Sequence, residues 1–120
     1  MEKRYQFSHH KLDVFRLALE VLRDVHDITR RIPRGYRTFA DQLLRAAGET
    51  VALIGEGANR FTAGQKRQRF SEARGEAGEV AVHIETICAM KLIGEDEADE
   101  VLSKCNRVCA MLTRLIQRHS

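Results

Sequence analysis

The sequence predicts an all-α fold, an antiparallel up-down four-helix bundle, and three observations carry that expectation. Apolar residues recur at three- and four-residue steps through four successive stretches of the 120-residue chain, the spacing that lines one face of a helix. Proline or glycine interrupts the pattern between stretches. One proline, two tyrosines and no tryptophan suit helices better than a many-turned β architecture. Four amphipathic helices with short connections bury their apolar faces most economically by packing antiparallel. At this length folding buries roughly two-thirds of the unfolded surface, enough for a single core spanning residues 1–120.

The first helix is expected over residues 11–31, on Phe15, Ala18, Leu22, Val25, Ile28 and Ile32, with Leu12, Val14, Leu19 and Val21 widening the stripe. Ser8 is the candidate cap at its start. Pro33 and Gly35 end it, because proline lacks the donor for the next helical hydrogen bond. The second is expected over residues 38–57, on Phe39, Leu43, Leu44, Ala47, Val51 and Ile54, with Gly55-Glu56-Gly57 weakening its end.

The third and longest is expected over residues 65–92, along Phe70, Ala73, Ala77, Val80, Ile84, Ile87 and Lys91. Gly75, Gly78 and Ala81 lie beside that line. Each helical glycine costs about 1 kcal/mol relative to alanine, so this face reads as a tight helix–helix contact. Gly94 ends the helix. The fourth is expected over residues 96–117, on Ala98, Val101, Leu102, Cys105, Val108, Cys109, Leu112, Leu115 and Ile116.

Catalytic chemistry finds no anchor in these residues. A di-iron bundle needs paired Glu-x-x-His motifs; the nearest approach is Glu79 with His83, at the wrong step and without a second copy. There is no nucleophile elbow and no phosphate loop. Cys88, Cys105 and Cys109 read as small buried hydrophobes in a reducing compartment, a soft-metal site being the alternative. Catalytic residues, metal ligands and cofactors are therefore all expected to be none. No apolar run is long enough to span a bilayer, and Met1 to Phe7 carries charges with no apolar stretch after them, so no signal peptide is read and the expected location is the cytoplasm.

Charge is the uneven feature. The net charge of +3 is mild, but Arg30, Arg31, Arg34 and Arg37 fall within eight residues that hold no acid. Residues 58–74 hold Arg60, Lys66, Arg67, Arg69 and Arg74 against Glu72 alone, and residues 95–100 hold five acids and no base. The acids open a helix, where negative side chains suit the dipole. The cations at the start of the third helix oppose its dipole, which points to an anionic partner; a solvated or salt-bridged face is the alternative. Arginine contacts phosphate bidentately, and Phe61 and Tyr36 could stack on bases.

A resemblance adds to this reading. Ile32-Pro33, Gln42-Leu43-Leu44-Arg45-Ala46-Ala47, Ile54-Gly55-Glu56-Gly57, Phe70, and Ala73 with Gly75 and Glu79 together resemble the four helix bundle protein family. That family includes proteins encoded by intervening sequences within bacterial 23S ribosomal RNA genes and is similar to the accessory variability protein of diversity-generating retroelements. The chain departs from it at Leu53, commonly asparagine, and at Glu76, commonly serine. The resemblance implies an up-down bundle that often forms a homopentamer with a basic surface and associates with nucleic acid. It makes Gln42, Arg45, Glu56 and Glu79 interior or interface polar residues rather than catalytic ones.

The expected function is thus a non-enzymatic homo-oligomer associating with RNA or DNA through the nine cations Arg30, Arg31, Arg34, Arg37, Arg60, Lys66, Arg67, Arg69 and Arg74. The alternatives are a protein–protein assembly module and, third, a metal- or small-molecule-using bundle enzyme.

Overall fold

In a computed structural model that describes residues 5–120, the periodic stretches fold as α1 (Asp13–Arg30), α2 (Arg37–Ala58), α3 (Ala63–Ala89) and α4 (Glu95–Arg118). Met1–Arg4, part of the segment read as lacking a signal peptide, lie outside the described residues. Helix α1 lies beside α2 and α4, α3 lies beside α2 and α4, and neither diagonal pair brings Cα atoms within 8 Å among the described residues. Cross-contacts give the directions. Asn59 after α2 bonds the backbone of Ser8 before α1, Arg31 after α1 pairs with Glu97 at the start of α4, and Arg67 near the start of α3 reaches His119 after α4. Each helix is therefore antiparallel to its neighbours.

Helix α1 starts later than the periodicity suggests. Residues Ser8–Lys11 form a separate 3₁₀ turn, and Leu12 holds the cap position without a side-chain bond. Ser8 does not cap α1; its backbone N–H donates to Asn59 Oδ1 at 3.3 Å. The inward line runs Val14, Leu17, Ala18, Val21, Val25 and Ile28, so Phe15, Leu22 and Ile32 flank the core half-buried. Pro33, extended, ends the segment as expected, and a short 3₁₀ turn of Arg34–Tyr36 leads into α2.

In α2, Ala40, Leu43, Ala46, Ala47, Thr50 and Ile54 face inward, while Phe39 is 36% exposed instead of joining the core. Gly55-Glu56-Gly57 does not weaken the end, because the helix continues through Ala58. Gly57 is required by packing: a Cβ there would lie 2.8 Å from the Phe70 ring of α3, closer than any side chain tolerates.

Helix α3 begins two residues earlier than expected, at a capping box. Thr62 Oγ1 accepts from Gln65 N at 3.1 Å, and Gln65 Oε1 accepts from Thr62 N at 3.5 Å. The predicted core line holds from Phe70 to Ile87. It does not include Lys91, which lies beyond the helix with φ 63°. There Leu92 N–H donates to Ile87 O at 3.0 Å and Lys91 N–H to Cys88 O at 2.9 Å, a Schellman termination with lysine in the place glycine usually takes. The expected tight seam is also absent. A methyl group at Gly75 or Gly78 would meet nothing within 4 Å, so these glycines face open space and only Ala81 packs against the core.

Helix α4 opens on Glu95, Asp96 and Glu97, as the dipole favours. Cys105 is buried; Cys88 and Cys109 are half-buried. Burial pushes the Cys105 thiol up to about 12, with Cys109 and Asp24 adding to the effect. That side chain behaves as a small hydrophobe.

The basic end as candidate nucleic-acid interface

Antiparallel packing sorts the charges by end. The 22 residues of α2 span about 33 Å at the helical rise, and the two arginine-rich stretches lie at its opposite ends. Arg60, Lys66, Arg67 and Arg69 stand where α2 hands over to α3, beside the start of α1 and the end of α4. Arg30, Arg31, Arg34 and Arg37 stand at the other end, beside the acidic start of α4. Arg74 belongs to neither end; from the third turn of α3 its Nε donates to Thr113 Oγ1 at 2.8 Å.

The outermost two turns and connections show the consequence. At the α2–α3 end, residues 5–20, 51–70 and 111–120 carry eight cations and three acids; at the other, residues 23–44 and 82–102 carry six cations and nine acids. The two arginine-rich stretches therefore form two separate patches. The first along the chain is offset by acids, and the second is joined by Lys11, Arg114 and Arg118, which line a single cleft between the start of α1 and the end of α4. These three lie outside both arginine-rich stretches, and their signal is topological: antiparallel packing sets the end of α4 beside the start of α1 and of α3.

Local partners then divide the cations. Lys66 Nζ donates to Ala58 O at 2.9 Å, and the Arg67 guanidinium donates to His119 O. Both satisfy carbonyls at the C-terminal ends of neighbouring helices, where cations are favoured. That explains cations at the start of α3 without an external partner, and corrects the expectation drawn from its own dipole alone. Arg69 pairs with Glu72 at 2.6 Å and approaches Glu56 at 3.9 Å, and Arg60 lies 3.6 Å from Glu56. Arg31 pairs with Glu97 and, at 3.5 Å, with Asp27. Arg30, Arg34, Arg37, Arg114 and Arg118 are exposed and form no ion pair among the described residues.

At the basic end Asn59 joins the N-terminal turn to α2. Its Oδ1 accepts from Ser8 N, its Nδ2 donates to Gly55 O at 2.8 Å, and Nδ2 lies 2.9 Å from His9 Nδ1. The carbonyl fixes the amide nitrogen as donor, so His9 Nδ1 accepts and the ring is neutral. Burial, then repulsion from His10, lowers the His9 pKa from its ordinary 6.5.

The polar set Gln42, Arg45, Glu56 and Glu79 does not form one network. Arg45 lies 3.9 Å from Glu76 and 3.7 Å from Glu79, midway along α2 and α3, whereas Glu56 serves Arg60 and Arg69 at the basic end. Gln42 is exposed and makes no side-chain hydrogen bond among the described residues. Glu76, a departure from the resembled family, has Oε1 buried without a hydrogen-bond partner among the described residues. Burial raises its pKa, a hydrogen bond and repulsion from Glu79 raise it further, and Arg45 opposes both. Among the described residues no group of three or more His, Cys, Asp or Glu is placed to hold a metal, and no helix is long and apolar enough to cross a membrane.

Comparison with known proteins agrees with this geometry. The profile of the 23S rRNA-intervening sequence protein family matches residues 10–114. A crystal structure of a protein with unknown function from the S23 ribosomal protein family of Bacteroides thetaiotaomicron VPI-5482 superposes with a TM-score of 0.81. It shares 16% sequence identity and covers 87% of this chain and 95% of its own. Identity that low establishes the fold alone. No curated protein matches. Leu43, Ala46, Ala47, Ile54, Gly57, Phe70 and Ala73, from the motifs quoted above, are all buried in α2 and α3, so those positions encode packing.

Proposed function

We propose that this chain, which belongs to the 23S rRNA-intervening sequence protein family, is a non-enzymatic, homo-oligomeric bundle that associates with RNA or DNA through its basic end. The observation that carries the reading is the surplus of cations there, which stands at six against three acids once Lys66 and Arg67 are assigned to neighbouring helix ends. Lys11, Arg60, Arg114 and Arg118 are the side chains offered to phosphate, while Arg30, Arg34 and Arg37 stand at the end where nine acids outnumber six cations. Assembly into a ring, a homopentamer by the resemblance, multiplies a modest charge per chain into a strong field. The cytoplasm is the expected compartment.

Titration of RNA and DNA binding against salt tests this, with light scattering giving the mass in solution. Affinity should fall linearly on a logarithmic plot by about 0.7–0.9 per phosphate contact. No binding at about 50 mM salt, or a flat response, overturns the reading. The opposite charge of the two ends favours a second reading, end-to-end pairing of copies or docking of a protein; association that survives nuclease treatment supports that one instead.

A further inference from the structure

We infer that the basic end takes unpaired nucleic acid in preference to duplex, with Phe61 as the surface on which a base stacks; the inference rests on the nucleic-acid reading of that end. Phe61 is 98% exposed, at the apex of the connection between α2 and α3. Burying such a ring is worth about 1.5–3 kcal/mol, so a loose loop would fold it inward. This loop is held on both sides. Asn59 is bonded to Ser8, Gly55 and His9, Lys66 reaches back to Ala58 O, and the capping box locks Thr62. Phe61 projects from the rigid span between them.

Its surroundings select the partner. Arg60 precedes it, and the bond from Ser8 to Asn59 brings the N-terminal segment to the same end, with Tyr5 69% and Phe7 54% exposed. The exposed aromatics of the acidic end, Tyr36 and Phe39, are less so at 39% and 36%. The most exposed aromatics thus coincide with the cation surplus, the combination by which single strands are bound. A duplex offers phosphates to the cations but keeps its bases stacked, leaving Phe61 against the backbone. A lipid or protein partner would find exposed rings set among polar and charged residues such as Asn59, Arg60 and Thr62 rather than a broad apolar patch.

The chain has no tryptophan, so Phe61→Trp supplies a single tryptophan, excited selectively over the two tyrosines, at the proposed contact. The variant is titrated with a labelled thymidine dodecanucleotide, with a duplex of equal length and with phosphatidylserine vesicles. The expected result is quenching by the single strand and none by the duplex. Phe61→Ala should weaken single-strand binding about tenfold or more, leave duplex binding unchanged and leave the melting temperature unchanged. An unquenched tryptophan while the labelled strand is seen to bind, or equal single-strand affinity for Phe61→Ala and wild type, overturns the inference and spares the reading of the basic end. Failure to bind either oligonucleotide overturns both. A blue shift with vesicles and no response to the oligonucleotides assigns the ring to lipid and overturns the inference.

Discussion

The two ends of the bundle carry similar numbers of arginines and opposite net charge, and helix dipoles do not explain the contrast. Each end of an up-down four-helix bundle presents two N-termini and two C-termini, so the partial charges of the backbone offset one another. The difference is made by side chains. At the end formed by α1–α2 and α3–α4, the first turn of α4 adds three acids, and Arg31 is committed to one of them, Glu97. At the other, Lys66 and Arg67 meet carbonyls rather than acids, Arg69 pairs with Glu72, and the last turn of α4 adds a further cation. An arginine-rich run is thus informative about a partner only once the strand of chain lying beside it is known.

The contrast between the ends can be broken or sharpened by substitution, beginning with the largest effect. Gly57→Ala, at the basic end, places a methyl group against Phe70 and should destabilise the protein by about 1–3 kcal/mol in urea unfolding. Gly75→Ala, facing open space, should instead stabilise it by up to about 1 kcal/mol. At the acidic end, Lys91→Gly should stabilise by about 1 kcal/mol, since glycine takes the left-handed conformation without the Cβ clash; an unchanged denaturation midpoint contradicts the strain assigned there.

Arg67→Ala should cost about 0.3–1 kcal/mol through loss of the contact at the end of α4, against no measurable change for exposed Arg34→Ala. The smallest effect is in pH. His9 is lowered, so its neutral contact with Asn59 contributes fully above about pH 6.5 and is lost as pH falls from there through its folded value. Glu76 is raised, so its contribution is present below about pH 4.5 and lost as pH rises through its folded value. Urea midpoints should therefore lose a downward slope on acidification below about pH 6.5 in His9→Gln, and an upward one on approach to about pH 4.5 in Glu76→Gln. The second variant should also be more stable than wild type at pH 7.

Helix number, order and most core positions were legible because burial of one face imposes the 3.6-residue period directly on composition. The α3 line from Phe70 to Ile87 is the clearest case. What the period leaves open is set by a partner. Nothing local distinguishes Gly57, which admits the Phe70 ring, from Gly75, which meets nothing; the rotation of the facing helix decides. Lys91 continues the spacing of α3 perfectly well, yet hydrogen bonds from Leu92 and its own N–H close the helix before it. The candidate site was half legible for the same reason. Arg60 and its neighbours were found as a run, while Arg114 and Lys11 complete the surface only through contacts between α1 and α4 that no linear window contains.

The sharpest test of the basic end compares two triple neutralisations that spare every capping cation. Salt dependence of single-strand binding is measured for wild type, Arg60→Gln/Arg114→Gln/Arg118→Gln and Arg30→Gln/Arg34→Gln/Arg37→Gln. The first set should weaken binding and reduce the logarithmic salt slope by about 2, while the second should leave both as in wild type. Equal losses from the two sets, or a loss confined to the second, would contradict the basic end as the binding surface.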